Sequence, residues 1–177
     1  MEREAVMIHL YVGNGKGKST AAAGLALRFA AYEGQVLYTQ FLKDGRSGEV
    51  RELKKLQTVE VFPFPGICMF TCHMDDNTRE RFKVDYDKYI KDIFRKVRVE
   101  AIGLLVLDEV IDAIHAGLVR EEKLLDFLQT HPEKPEIVLT GRNPSRAIAD
   151  TADYFTEFQK IRHPYDGGLE ARKGIEY

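Results

Sequence analysis

The sequence predicts an α/β fold of three layers, with helices flanking a mostly parallel central sheet. Apolar runs of strand length at 6–12, 35–42, 59–62, 104–107, 137–139 and 154–158 alternate with stretches of helical spacing, which is the order of βαβ units. Each run also ends in polar residues, as strands do when a binding crevice lies along their carboxyl ends. A third observation narrows the class. The first run passes directly into GNGKGKST (Gly13 to Thr20) and then into AAAGLALRFAA. A glycine-rich turn between a strand and a helix lets backbone N–H groups wrap an anion at the positive end of the helix. The expected fold is therefore P-loop NTPase-like, of the RecA-like kind.

The elements follow in order. Val6 to Val12 is the first strand, and the alanine-rich helix after Thr20 should end at Gly34, placed as a C′ glycine. Gln35 to Leu42 is the second strand, Glu49 to Leu56 a helix, and Val59 to Phe62 a short third strand. The connection from Phe62 to Asn77 is broken by Pro63 and Pro65 and is unusually apolar for a loop. Its Phe62, Phe64, Ile67, Met69 and Phe70 need a cover. Either they pack beneath the next helix or in a subunit interface, or they wall a large flat ligand. From Thr78 to Val99 the spacing of Phe82, Tyr86, Tyr89, Ile90, Ile93, Phe94 and Val97 predicts one amphipathic crossover helix. Leu104 to Leu107 runs into Asp108-Glu109, Leu118 to Leu128 is a further helix, and Ile137 to Leu139 enters Thr140-Gly141-Arg142. A last strand, Tyr154 to Phe158, precedes a polar tail.

The 177 residues suit one domain, 1–177, large enough to bury a core without disulfides. With 26 basic against 28 acidic residues there is no electrostatic footprint for nucleic acid. Cys68 and Cys72 lack CxxC spacing and a second Cys/His pair at zinc-finger distance, although His73 adjoins them. No run reaches the length of a membrane span and MEREAVM has no apolar signal core, so a cytoplasmic protein without membrane or nucleic-acid partners is expected.

The chemistry concentrates at the strand ends. In the phosphate-loop reading Lys18 sits on phosphate oxygens and the hydroxyl of Ser19 or Thr20 on Mg2+. The loop departs from GxxxxGK[ST], because Val12 stands where the first glycine belongs. Asp108-Glu109 after LLVL either holds Mg2+, directly or through water, or caps the following helix. Arg142 either reaches the triphosphate or is a surface arginine after a turn. Position alone favours solvation of Arg28.

Several segments together resemble the P-loop type ATP:corrinoid adenosyltransferases. They are GNGKGKST with the alanine-rich helix and Arg28, TQFLKDG with Gly48-Glu49, LLVLDEV, VLTGR and the ending HPYDGGLEARKGIEY, in that order along nearly the whole chain. The shortened loop is itself part of the resemblance and accounts for Val12. It implies transfer of the 5′-deoxyadenosyl group of ATP to Co(I) of a reduced corrinoid, either cob(I)alamin or cobyrinic acid a,c-diamide, with release of tripolyphosphate. Gly13, Asn14, Gly15, Lys16, Gly17, Lys18, Ser19 and Thr20, with Arg28 and Arg142, are then the ATP-binding residues. Ser19 with Glu109, and Asp108 beside them, would hold Mg2+. ATP would lie reversed along the loop, exposing its 5′-carbon to the cobalt nucleophile, so that no general base is needed. An electron-donating flavoprotein or other reductant is the implied partner, and a homodimer the expected assembly. The family's corrinoid-facing loop carries a phenylalanine and a tryptophan one residue apart. Phe70 matches the first and is the catalytic residue of that loop, whereas Cys72 stands at the second and the chain has no tryptophan. Phe62 or Phe64 would have to substitute, or the corrinoid arrives without a tightly held lower ligand. Two rivals share the loop: a small-molecule or nucleoside kinase, and a nucleotide-dependent regulatory module.

Overall fold

The computed structural model describes residues 6–66, 75–130 and 135–176. Strands β1 (Ile8–Val12), β2 (Val36–Gln40), β3 (Val59–Pro63), β4 (Leu104–Asp108), β5 (Glu136–Thr140) and β6 (Tyr154–Glu157) form one sheet in the order β3-β2-β4-β5-β1-β6. All the neighbouring pairs run parallel, so the sheet is entirely parallel where a mostly parallel one was expected. Every strand therefore delivers its following loop to the same edge. That edge collects the motif residues.

The helices are α1 (Lys18–Ala30), α2 (Gly48–Leu53), α3 (Asp76–Val99), α4 (Val110–His115), α5 (Glu121–Thr130) and α6 (Arg146–Ala149). The two faces of the sheet from β1 to β5 feed two cores. Tyr38, Leu104, Val106 and Val138 pack with Ala22, Ala23 and Ala26 of α1 and with Val50 and Leu53 of α2. Leu37, Leu105, Leu107 and Leu139 pack on the other side with Ile90, Ile93 and Phe94 of α3 and Leu124, Phe127 and Leu128 of α5. Alanines on the buried stripe of α1 bring that helix close to the sheet, which fixes the phosphate loop at its N-terminus.

Helix α3 is the expected crossover, and its Asp75 cap accepts a hydrogen bond from Thr78 N at 2.7 Å. It also answers part of the question set by the apolar connection. Phe64 is buried and stacks on Tyr86 with centroids 3.9 Å apart and planes 4° from parallel, and Phe62 leans on Tyr89 at 5.4 Å. These two rings are committed to the layer beneath α3. Phe64 is therefore not available to replace a ligand-facing tryptophan.

Several boundaries differ from the sequence expectation, among them the following three. Val6 lies outside β1 and is exposed. Gly34 does not serve as the left-handed cap of α1; Glu33 has that conformation (φ 60°), and a Cβ on Gly34 would press on the ring of Phe29, which would have to shift. The helix expected to start at Leu118 starts at Glu121, while Leu118 and Val119 are buried in the turn before it. At one edge of the sheet β6 is exposed along its length, with Tyr154 and Phe155 about half accessible.

Candidate active site

The loops after β1, β2, β4 and β5 border one open cleft of about 1230 Å3. That exceeds the usual volume of a site for one drug-sized ligand. Asn14, Gly15, Lys16, Gly17, Lys18, Ser19 and Thr20 line one wall, and Glu109 and Arg142 another. Gly13, Arg28 and Asp108 do not line it. Arg28 is exposed on α1, nearly three helical turns from Lys18.

The loop is closed from behind by the far end of the chain. Gly15 N donates to Phe158 O at 2.6 Å, and Asn14 Oδ1 accepts from Lys160 N at 2.9 Å. A Cβ on Gly13 or Gly15 would sit 2.5 or 2.6 Å from the Phe158 carbonyl oxygen. The glycines at these positions thus admit the segment after β6 as well as shaping an anion cradle. Gly17, with φ 117°, is the turn into α1. Lys18 curls over this loop, donating to Gly13 O at 2.7 Å and Gly15 O at 2.9 Å. Burial and the nearby Arg142 lower its pKa, with Asp112 and Glu109 opposing.

At the end of β4 the two carboxylates divide. Asp108 is fully buried and completely partnered. Thr140 Oγ1 donates to its Oδ1 at 2.8 Å, while Lys43 Nζ at 2.8 Å and Gln40 Nε2 at 3.2 Å donate to its Oδ2. Glu109 is partly exposed to the cleft and is the residue before α4, yet its side chain makes no capping bond. The capping alternative therefore fails for Glu109. Its backbone is left-handed (φ 63°), uncommon outside glycine, asparagine and aspartate. Thr140 Oγ1 holds that backbone by accepting from Glu109 N at 2.8 Å. Burial raises the Glu109 pKa, Asp108 and Asp112 add to it, and Lys43 opposes.

Lys43 and Asp112 complete the wall and were not singled out by sequence reasoning. Lys43 Nζ lies 2.7 Å from Ser19 Oγ and 3.5 Å from Glu109 Oε1. Asp112 faces Arg142 Nη1 at 3.6 Å, and its carboxyl pKa is raised by burial against the pull of that guanidinium. Ser47 Oγ, also at the cleft, is buried without a partner among the described residues. Phe70, Cys68 and Cys72 lie outside the described residues.

Ser19 Oγ, Asp108 Oδ2 and Glu109 Oε1 surround Lys43 Nζ at 2.7, 2.8 and 3.5 Å. Among the described residues no cluster of three His, Cys, Asp or Glu side chains is placed to hold a metal. A hydroxyl and a cleft-facing carboxylate, with the buried Asp108 behind them and triphosphate oxygens completing the set, nevertheless match the hard, partly substrate-supplied coordination that Mg2+ takes. The residues fit the ion.

Fold and cleft together define a P-loop protein of the NTPase-like class, with the glycine-rich loop, a strand-end carboxylate and an arginine around one phosphate-sized wall. Residues 4–177 match the family described as ATP:corrinoid adenosyltransferase BtuR/CobO/CobP, and the chain belongs to that family. It is an enzyme of the transferase class. Similar proteins include the corrinoid adenosyltransferases of a Sinorhizobium species (30% identical, covering 98% of this chain and 81% of the relative) and of Pseudomonas aeruginosa (29%, 99% and 85%). A third, corrinoid adenosyltransferase CobA of Salmonella typhimurium, is 29% identical over 99% of this chain and 88% of its own. Among solved structures the cytoplasmic domain of EssC matches with a TM-score of 0.52 at 14% identity, covering 95% of this chain and 35% of that one. That likeness concerns the fold alone.

Proposed function

We propose that this corrinoid adenosyltransferase of cobalamin synthesis moves the 5′-deoxyadenosyl group of ATP to Co(I) of a reduced corrinoid. The electron pair of Co(I) attacks the 5′-carbon and becomes the cobalt–carbon bond, while the carbon–oxygen bond to the α-phosphate breaks and tripolyphosphate leaves with the electron pair of that broken bond. The carrying observation is the convergence of Lys18, Ser19, Glu109 and Arg142 on one cleft, in a chain that matches the family from residue 4 to 177. Lys18 and Arg142 neutralise the leaving triphosphate, which accumulates charge as the bond breaks. Ser19 and Glu109 hold Mg2+ against it, with Asp108 behind them positioning Lys43 and, through Thr140, Glu109. When bound, Mg2+ supplies further charge stabilisation on the phosphate oxygens.

The corrinoid is cob(I)alamin or cobyrinic acid a,c-diamide, and its electron comes from a flavoprotein or another reductant. The assembly is a homodimer, for which the exposed β6 edge with Tyr154 and Phe155 is the supporting feature; light scattering on the purified chain tests it. The reaction is tested by anaerobic incubation with MgATP and chemically reduced corrinoid. Loss of the Co(I) absorbance, a light-sensitive product and tripolyphosphate are expected. ADP as product would instead indicate a kinase, and nucleotide-dependent binding without turnover a regulator.

A further inference from the structure

The cation-binding corner already contains a cation belonging to the protein. Past the end of β2 the backbone is pinned: Phe41 N donates to Asp108 O at 3.0 Å, Tyr86 Oη to Phe41 O at 2.8 Å and Tyr89 Oη to Gln40 O at 3.1 Å. Two residues beyond this anchor, Lys43 places Nζ 2.7 Å from Ser19 Oγ, 2.8 Å from Asp108 Oδ2 and 3.5 Å from Glu109 Oε1. An ammonium has three N–H donors, and its neighbours here are the Ser19 and Glu109 oxygens assigned above to Mg2+ and the Asp108 carboxylate behind them. Two cations cannot share that position. A carboxylate as buried as Asp108 also needs a compensating charge at all times.

We propose that Lys43 is the internal counter-ion of the metal position: it holds the Ser19, Asp108 and Glu109 oxygens against free divalent cation. It gives them up only when the triphosphate arrives with its Mg2+ and offers the ammonium new anionic oxygens. This rests on the Mg2+ assignment made under the proposed function. Lys43 lines the same cleft as Lys18 and Arg142, so the displaced ammonium remains beside the triphosphate. The consequence is an order of binding: metal enters with nucleotide, not ahead of it.

Binding of Mn2+, used as the probe for Mg2+, is measured by its electron paramagnetic resonance signal in the absence of nucleotide and corrinoid. A site left open about one-tenth of the time binds about tenfold more weakly than an open one, so Lys43→Gln is expected to bind Mn2+ at least about tenfold more tightly than the wild type. The gain should vanish in the Lys43→Gln, Glu109→Gln double variant. Thermal unfolding gives a second readout. In EDTA the Lys43→Gln midpoint should fall, because Asp108 has lost its cation, and millimolar Mg2+ alone should restore it while leaving the wild type unmoved. Equal nucleotide-free Mn2+ affinity in wild type and Lys43→Gln, with Glu109→Gln abolishing it in both, would overturn the counter-ion role and leave the metal site standing. Mn2+ binding that ignores Glu109 even with ATP present would remove both.

Discussion

Lys18 grips its own loop through two carbonyls, so replacing it changes both a charge and a brace. Lys18→Ala is expected to cut turnover by ~3 kcal/mol of transition-state stabilisation, on the scale of one lost preorganised donor, while the chain still folds; steady-state kinetics at saturating ATP measure it. Near-wild-type turnover would take Lys18 out of that role. The two strand-end carboxylates should separate in a Mg2+ titration of activity. Glu109→Gln, altering the group that faces the cleft, should weaken apparent Mg2+ affinity more than Asp108→Asn, whereas Asp108→Asn should cost more in folding stability because it leaves Lys43 without its buried partner. The reverse ranking of Mg2+ effects would make Asp108 the direct ligand. Lys18 and Ser19 are legible in the sequence because their meaning lies in consecutive residues. Lys43 is not, since its partners Ser19 and Asp108 stand 24 and 65 positions away and only the sheet order brings them together.

Between elements, the contact of the phosphate loop with the segment after β6 leads to a paired prediction. Gly15→Ala would put a methyl 2.6 Å from a backbone oxygen that cannot rotate away. It should lower stability by ~2 kcal/mol, as overpacking does, and weaken ATP binding with it. Gly24→Ala on α1 meets nothing within 4 Å and should stabilise by ~1 kcal/mol through helix propensity; chemical denaturation of both variants checks the contrast. Helices α3 and α5 are tied by Asp87, which receives Lys123, Lys91 and Arg120. Hydrogen bonds from Lys123 and Lys91 hold its carboxyl well below the ordinary 3.8. A depressed carboxylate stabilises the fold above its ordinary pKa, and that contribution fades as pH falls below it. Asp87→Asn should therefore cost ~0.5 kcal/mol at neutral pH, most of it lost in high salt. The long, periodic α3 was readable from its apolar spacing. Helices α4 and α6, of six and four residues, are too short to carry a period, and β6 looked like any other strand because whether a strand's faces are covered is decided by the layers packed against it, not by its own residues.

For the whole molecule, the apolar connection has two parts with different fates. Phe62 and Phe64 belong to the layer under α3, which leaves Phe70 as the aromatic proposed to meet the corrinoid. If Phe70 displaces the lower axial ligand, Phe70→Ala should slow adenosylation when Co(II) must first be reduced by a biological reductant, yet spare most of the rate when Co(I) is supplied directly. Equal losses in the two assays would make Phe70 a packing residue. The all-parallel order also has a consequence in time. β1, the first of these six strands to be made, lies between β5 and β6, the last two of the six, and the loop that follows it is fastened by the carbonyl of Phe158. At about 5 to 20 residues per second, roughly seven to thirty seconds of synthesis separate the making of that loop from the arrival of its fastener. Until then the nascent chain carries the motif without its final shape, and the phosphate cradle closes only after the segment that follows β6 has been made.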